Sequence, residues 1–372
     1  MWQELERELE ACELAGRKRT LRLVPEGIFD IASNDYLGLA RHPEVVRAAQ
    51  EAAQRFGTGA RASRLVSGHF ALVEELETEL ARFKKTDAAL VFSSGFAANV
   101  GVLSALADEK TTLFCHKRNH ASLLDGCRLA STKGATTRYF ESSDKLRALL
   151  QKSTASRKIV VADGVFSMDG DLLPLPEILV LCEEFDAVLV LDDAHGTGTL
   201  GDTGRGIEEH FGVSSPRVLT IGTLSKSLGS QGGFVCGPRV VIDYLLGAAP
   251  SFVYSTGLNP PAVGAALAAL QILQRESGHA ARCRTNAHSL ALMLSQQGFD
   301  ARFNGSPIVP VIIGDERAAL ALAVQLETRG LWCPAIRPPT VPRGTSRLRL
   351  AACSEWTPSD LDRIVAAFSS LA

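Results

Sequence analysis

Short apolar runs rich in Val, Leu and Ile recur along this chain, and each ends in a cluster of small and polar residues. Residues 88–92 run into Ser93-Ser94-Gly95-Phe96, 113–115 into His116 to Ser122, and 158–162 into Asp163 to Asp171. Residues 187–191 run into Asp192-Asp193-Ala194-His195, 218–221 into Thr223 and Lys226, and 233–236 close the series. Helical patterns lie between, as at 70–84, where Leu72, Val73, Leu76, Leu80 and Phe83 make one apolar stripe. Strands alternating with helices imply a mostly parallel sheet covered by helices on both faces. In such a sheet ligands bind outside the carboxyl ends of the strands. Residues 95–96, 120, 167, 192–195 and 223–226 are therefore expected to converge on one crevice.

The chain has 372 residues, enough for about two domains. A net charge of −2 gives no electrostatic footprint for nucleic acid or for an acidic membrane surface. No apolar run approaches the roughly 20 residues that span a bilayer, and the acidic start, Met1-Trp2-Gln3-Glu4, is unlike a signal peptide. The eight cysteines form no CxxC pair and sit mostly in apolar contexts, as expected of reduced thiols in a cytoplasmic protein. Neither a repeat nor a low-complexity linker is evident. Helical patterns at 260–276, 279–297 and 316–329 surround strands at 309–313 and 347–350. Together with a last helix opened by Thr357-Pro358, they imply a smaller α/β lobe at the C-terminus. The expected division is an N-terminal segment, 1–40, packing on that lobe, a large domain, 41–258, and the small domain, 259–372.

Lys226 follows a buried strand among hydroxyls and glycines. A partly dry pocket would lower its pKa and suit Schiff-base chemistry with a flat cofactor; a surface lysine in a βα loop is the ordinary alternative. Ser93-Ser94-Gly95-Phe96 offers a helix N-terminus to a phosphate, or is a plain βα turn. Asp192 ends its strand where a buried carboxylate needs a partner, and the protonated nitrogen of an aromatic cofactor is one. His195 could bond that ring's phenolic oxygen; an N-cap aspartate with a satisfied histidine is the bland reading. The loop from Gly57 to His69, with three glycines and two arginines, could approach an anion closely. The basic stretch Arg17-Lys18-Arg19-Thr20-Leu21-Arg22 is a solvated turn or an anion site. Gly196 to Gly201 matches GxGxxG as text, but no helix follows, which argues against a dinucleotide fold and a nicotinamide dehydrogenase. His116 and His120 stand at i, i+4 without a third zinc ligand, so no metal is expected.

Seven segments carry a resemblance: SNDYLGL (33–39), GTGARASRLVSGH (57–69), SSGFAAN (93–99), HAS (120–122), GVFSMDGD (164–171), DDAHGTG (192–198) and TLSK (223–226). In these the chain resembles the α-oxoamine synthases, fold-type I enzymes dependent on pyridoxal 5'-phosphate (PLP). The resemblance runs from about Ser33 to the C-terminus. It implies an aspartate-aminotransferase-like fold and decarboxylative condensation of an amino acid with an acyl thioester. Lys226 would carry PLP, Thr223 would bind its phosphate, Gly95 and Phe96 would bind the cofactor through the backbone, and His120 would stack on its ring. Asp192 would pair with the ring nitrogen, with Ser167 and His195 at the phenolic oxygen. Lys226, His120, Asp192 and His195 form the implied catalytic set. Asn34 and Arg349 would hold the substrate carboxylate, Thr340 would touch substrate, and Arg19 would lie near the acyl chain. Thr256 would reach the phosphate in the partner subunit of a homodimer with shared active sites.

Segments 336–342 and 344–350 are most similar to the members that join L-alanine to a pimeloyl thioester, on CoA or acyl carrier protein, in biotin biosynthesis. Members with glycine or serine as donor, and a non-catalytic PLP-fold subunit, are the competing expectations. Four departures stand out: Asp163 in place of Glu, Ser142-Ser143-Asp144 in place of Asn-Asp, Ser227 after the lysine, and the segment Ala351 to Glu355.

Overall fold

A computed structural model describes residues 1–369 and residue 371. It divides into two compact units, one of Asn34–Ser167 with Asp171–Cys283, the other of Met1–Ser33, Met168–Gly170 and Arg284–Ala372.

The larger unit is built on a seven-stranded sheet. Across it lie Ala88–Phe92, Gly233–Gly237, Val218–Thr223, Val188–Asp192, Arg157–Asp163, Thr111–His116 and Thr136–Phe140. Only Gly233–Gly237 runs against its neighbours; every other pairing is parallel. This is the mostly parallel, helix-covered α/β sheet expected. Central strands are buried on both faces and so read as unbroken apolar runs, such as Ile159 to Ala162 and Leu189 to Leu191. Helices Gly95–Leu106 and Ala121–Ser131 pack together over the sheet core of Val161, Val190 and Ile221.

Two boundaries differ from expectation. Helix Pro260–Arg275, placed by the sequence in the C-terminal lobe, packs on Pro43–Phe56 and Ala71–Lys84 of the larger unit. Gly264 makes this close approach possible, because a Cβ there would meet the Ala48 carbonyl oxygen at 2.7 Å. At the other end, 34–40 leaves the N-terminal segment for the larger unit, where Tyr36, Leu37 and Leu39 are buried.

The smaller unit holds an antiparallel sheet in the order Ala335–Ile336, Ser346–Ala351, Ile308–Gly314, Asp300–Ala301. A short parallel pair, Phe29–Asp30 with Leu331–Trp332, ties the N-terminal segment to it. Its core gathers Ile31, Val309, Val311, Leu348, Leu350, Ile364 and Phe368. Helix Trp2–Leu14 buries no residue. Among the described residues no helix is long and apolar enough to cross a membrane.

The larger unit contains a buried ion pair. Lys84 Nζ lies 2.9 Å from Asp193 Oδ2 and 2.7 Å from Thr197 Oγ1, and both charged side chains are 2% exposed. Removing one partner strands the other charge in the interior. Lys84→Met is expected to lower unfolding free energy by about 3–5 kcal/mol in urea titrations. Lys117→Met, at the exposed pair with Glu141, should leave the midpoint in place.

Candidate active site

The polar clusters that follow the strands of the larger unit do meet. Gly95, Phe96, His120, Ser167, Asp192, His195, Thr223 and Lys226 line one cavity of about 240 Å³. All eight were expected there. Lys226 lies in the turn after Val218–Thr223, with Nζ 2.9 Å from His195 Nε2. The other imidazole nitrogen, Nδ1, is 2.7 Å from the hydroxyl of Tyr36.

Asp192 ends its strand with both carboxylate oxygens engaged. Oδ1 accepts from Ala194 N at 2.9 Å, and Oδ2 accepts from Asn99 Nδ2 at 2.6 Å. Asn99 follows Gly95 by one helical turn, which puts it on the cavity face of helix Gly95–Leu106. It also donates to Ser122 Oγ at 2.8 Å, while its Oδ1 is buried without a partner. His120 caps helix Ala121–Ser131: its Nδ1 accepts from Ser122 N at 3.3 Å, and its own N–H donates to Asp163 Oδ2 at 2.7 Å. Burial holds the His120 pKa below the usual histidine value, with the nearby Asp192 charge opposing, which favours a neutral ring.

Asn99, Ser122, Ser225 and Asp163 are cavity residues to which sequence reasoning gave no role. Asn99 was legible in principle, one turn after Gly95. Asp163 pairs in register with Asp192 on the adjacent strand, and burial, followed by the charge of Asp192, pushes its pKa well up.

The start of helix Gly95–Leu106 is open to an anion. Ser94 caps it through Ala97 N at 3.0 Å, while the N–H groups of Gly95 and Phe96 have no partner within the helix. A Cβ on Gly95 would lie 3.5 Å from Thr223 Cβ, so the helix start and the threonine sit side by side. Gly233 permits this, because a Cβ there would meet Gly95 N at 2.4 Å. An amine, an aromatic platform, a strand-end carboxylate and an anion cradle in one cavity match the parts of PLP, and the buried Asn99 Oδ1 leaves an acceptor for a donor beside Asp192. The donor set fits the cofactor.

Other expected residues fall elsewhere. Thr256 is not in this cavity; it bridges Ser63 in antiparallel fashion and lines a separate small pocket with Ser93. Asn34 reaches the cavity indirectly, its Oδ1 3.0 Å from the Tyr36 hydroxyl. In the smaller unit Arg19 and Thr340 meet, Nη2 to Oγ1 at 2.6 Å, and Arg349 is buried on strand Ser346–Ala351. The basic stretch is largely paired, Lys18 with Glu13 and Arg22 with Glu327. Arg64 of the glycine-rich loop is held by Glu77.

The alternative motifs have structural explanations. Gly196 and Gly201 make room for the chain's own carboxylates, since a Cβ would meet Asp193 Oδ1 at 1.9 Å and Glu209 Oε2 at 2.2 Å. His116 packs on the rings of Phe140 and Phe166, and burial, with Arg118 adding, lowers its pKa to about 4. Among the described residues no cluster could hold a metal ion. All eight cysteines are free.

The sequence profile of the family "Aminotransferase class I and II" matches residues 26–368. The 8-amino-7-oxononanoate synthase of Lysinibacillus sphaericus is 42% identical over 370 residues, 96% of this chain and 95% of that protein. Its counterpart from Geobacter sulfurreducens is 44% identical over 94% of this chain and 90% of its own. Among solved structures, serine palmitoyltransferase from S. paucimobilis, with a bound PLP–myriocin aldimine, superposes with a TM-score of 0.90. It is 29% identical and covers 99% of this chain and 96% of its own. The chain belongs to the class I and II aminotransferase family of fold-type I PLP enzymes and, within it, to the 8-amino-7-oxononanoate synthases.

Two substitutions test the site's electrostatics. A carboxyl whose folded pKa is raised keeps its stabilising contribution below the unfolded value, 3.8, and loses it as pH rises through the folded one. Asp163→Asn cannot ionise, so the urea midpoint of the PLP-free variant should gain on the wild type as pH rises above 3.8. Ser227 Oγ is buried without a partner. Ser227→Ala should therefore hold or raise the thermal midpoint, because it removes a desolvated hydroxyl.

Proposed function

We propose that this chain condenses L-alanine with a pimeloyl thioester, carried on CoA or acyl carrier protein. The products are 8-amino-7-oxononanoate, CO2 and the free thiol carrier, a step of biotin biosynthesis. The observation that carries this reading is the meeting of Lys226, Asp192, His120 and His195 in one cavity. It occurs in a chain 42% identical to an 8-amino-7-oxononanoate synthase across 96% of its length.

PLP, when bound, supplies an electron sink for the negative charge formed at the substrate Cα. Lys226 would tether it, and the free Lys226 amine would take the Cα proton as general base. His195 Nε2, 2.9 Å from that amine, is positioned to exchange a proton with it. Asp192, its place fixed by Asn99 and Ala194 N, would hold a proton on the ring nitrogen by charge. The helix start at Gly95 and Phe96, with Thr223, binds the phosphate. His120 would cover one ring face as a neutral imidazole, and Ser167 and His195 would serve the phenolic oxygen. Arg349 grips the substrate carboxylate in bidentate fashion, a geometry lysine cannot copy, and Asn34 assists. Arg19 and Thr340 serve the acyl chain. Thr256 acts across the interface of a cytoplasmic homodimer, which accords with its place outside the cavity of its own subunit.

Thiol release from pimeloyl-CoA by the PLP-loaded protein is expected to require L-alanine. Release driven by glycine or serine instead, or none at all, would reject the proposed donor and reaction. Lys226→Ala is expected to lose turnover together with the visible absorbance of the tethered cofactor; a yellow, active variant would remove the lysine from its role.

A further inference from the structure

The mechanism above gives no part to the buried hydroxyl of Tyr36, which lies behind the cavity residue His195. Tyr36 is 0% exposed, and a buried phenol must be hydrogen bonded. Its position is fixed locally: Asp35 accepts from Leu39 N at 3.0 Å and Ala40 N at 3.2 Å, and Gly38 takes φ +68° to close the turn. The hydroxyl lies 3.0 Å from Asn34 Oδ1 and 2.7 Å from His195 Nδ1.

We propose that Tyr36 is a positioning residue that fixes the tautomer of His195 and the amide orientation of Asn34. The inference rests on the roles given above to Lys226, His195 and Asn34. A phenol has one proton, and an amide oxygen only accepts. The proton therefore goes to Asn34 Oδ1, and toward His195 the phenol oxygen is the acceptor. Nδ1 must then carry the hydrogen, which leaves the Nε2 lone pair of the neutral ring facing Lys226 Nζ at 2.9 Å. An ammonium at Lys226 can pass a proton to that lone pair. One N–H bond breaks at Nζ and one forms at Nε2, the total charge is unchanged, and the amine is left neutral as a base must be. The opposite tautomer would set an N–H against the ammonium and close this route. At Asn34, engaging Oδ1 with the phenol fixes which end of the amide is the donor. One hydroxyl thus links the group that holds the amino acid to the imidazole that relieves Lys226 of its proton.

The test uses the full chain labelled with 15N-histidine, free of PLP, with His195 identified by its loss in H195Q. Wild type is expected to show Nδ1 protonated and Nε2 bare. Y36F should bring in the Nε2–H form and, when PLP-loaded, lose about 10- to 100-fold in kcat/KM for L-alanine. N34A, which deletes the acceptor and lets the phenol donate to Nδ1, should give the same tautomer switch; N34D, which keeps an acceptor, should not. Nε2–H in the wild type, or an unchanged tautomer with full kcat/KM in Y36F, would overturn the proposal. The NMR measurement needs no turnover. An inactive wild-type enzyme would therefore reject the assigned reaction while leaving the tautomer result to be judged alone.

Discussion

Carboxylates at the ends of buried strands can exist only where donors meet them, and three such groups stand together in the larger unit. Asp163 and Asp192 are register partners on adjacent strands, and Asp193 follows directly. Each commits a different part of the chain. Asp192 draws in Asn99 and so sets the rotation of helix Gly95–Leu106. Asp163 accepts from the backbone of His120 and places that imidazole at the start of its helix. Asp193 takes Lys84 and Thr197 on one oxygen and Ile207 N on the other, and the chain folds around it so tightly that Gly196 and Gly206 admit no Cβ. The site geometry follows from satisfying these groups, with each loop held where a donor was needed.

The strand ends were legible because doubly buried parallel strands read as apolar runs and the polar residues begin where the sheet stops. Thr136–Phe140 was not, since it is an edge strand whose side chains are mostly solvent-facing and carry Thr, Thr, Arg and Tyr. The two-residue strands Asp300–Ala301, Leu331–Trp332 and Ala335–Ile336 are too short for any periodicity to register. The boundary at 258 failed for another reason. An amphipathic pattern shows that Pro260–Arg275 buries a face but does not say against which partner, and only the small residues of that face, such as Gly264, hint at a close neighbour. Within the site, residue types named the chemistry, whereas the partners of Asn99 and Asp163 depend on strand order. Strand order is a long-range property that local spacing does not carry.

The same fold is shared at a TM-score of 0.90 with a serine palmitoyltransferase only 29% identical to this chain. Backbone geometry therefore does not select the amino-acid donor or the acyl chain. The proposed cofactor residues sit on the larger unit, whereas Arg19, Thr340 and Arg349, proposed for the substrates, sit on the smaller one. The departures divide likewise. Asp163 lines the cavity and Ser227 directly follows Lys226, while 351–355 begins at the end of the strand of Arg349.

Both inner departures add unfavourable burial, Asp163 in the cavity and Ser227 next to Lys226. Asp163 is a carboxyl whose pKa burial and Asp192 push well up, Ser227 is a hydroxyl without a partner, and Asn99 Oδ1 is an acceptor without a donor. A packed core with no task would replace such groups with apolar ones at little or no cost. Their concentration around Lys226 is the local conflict expected where a site must receive a charged, hydrogen-bonding group from outside. Tyr36 resolves the same conflict from within: one proton satisfies Asn34, and the oxygen it leaves serves His195. The hydrogen bonds of Tyr36 are met within the chain, whereas Asn99 Oδ1, beside Asp192, is an acceptor left for a ligand to fill.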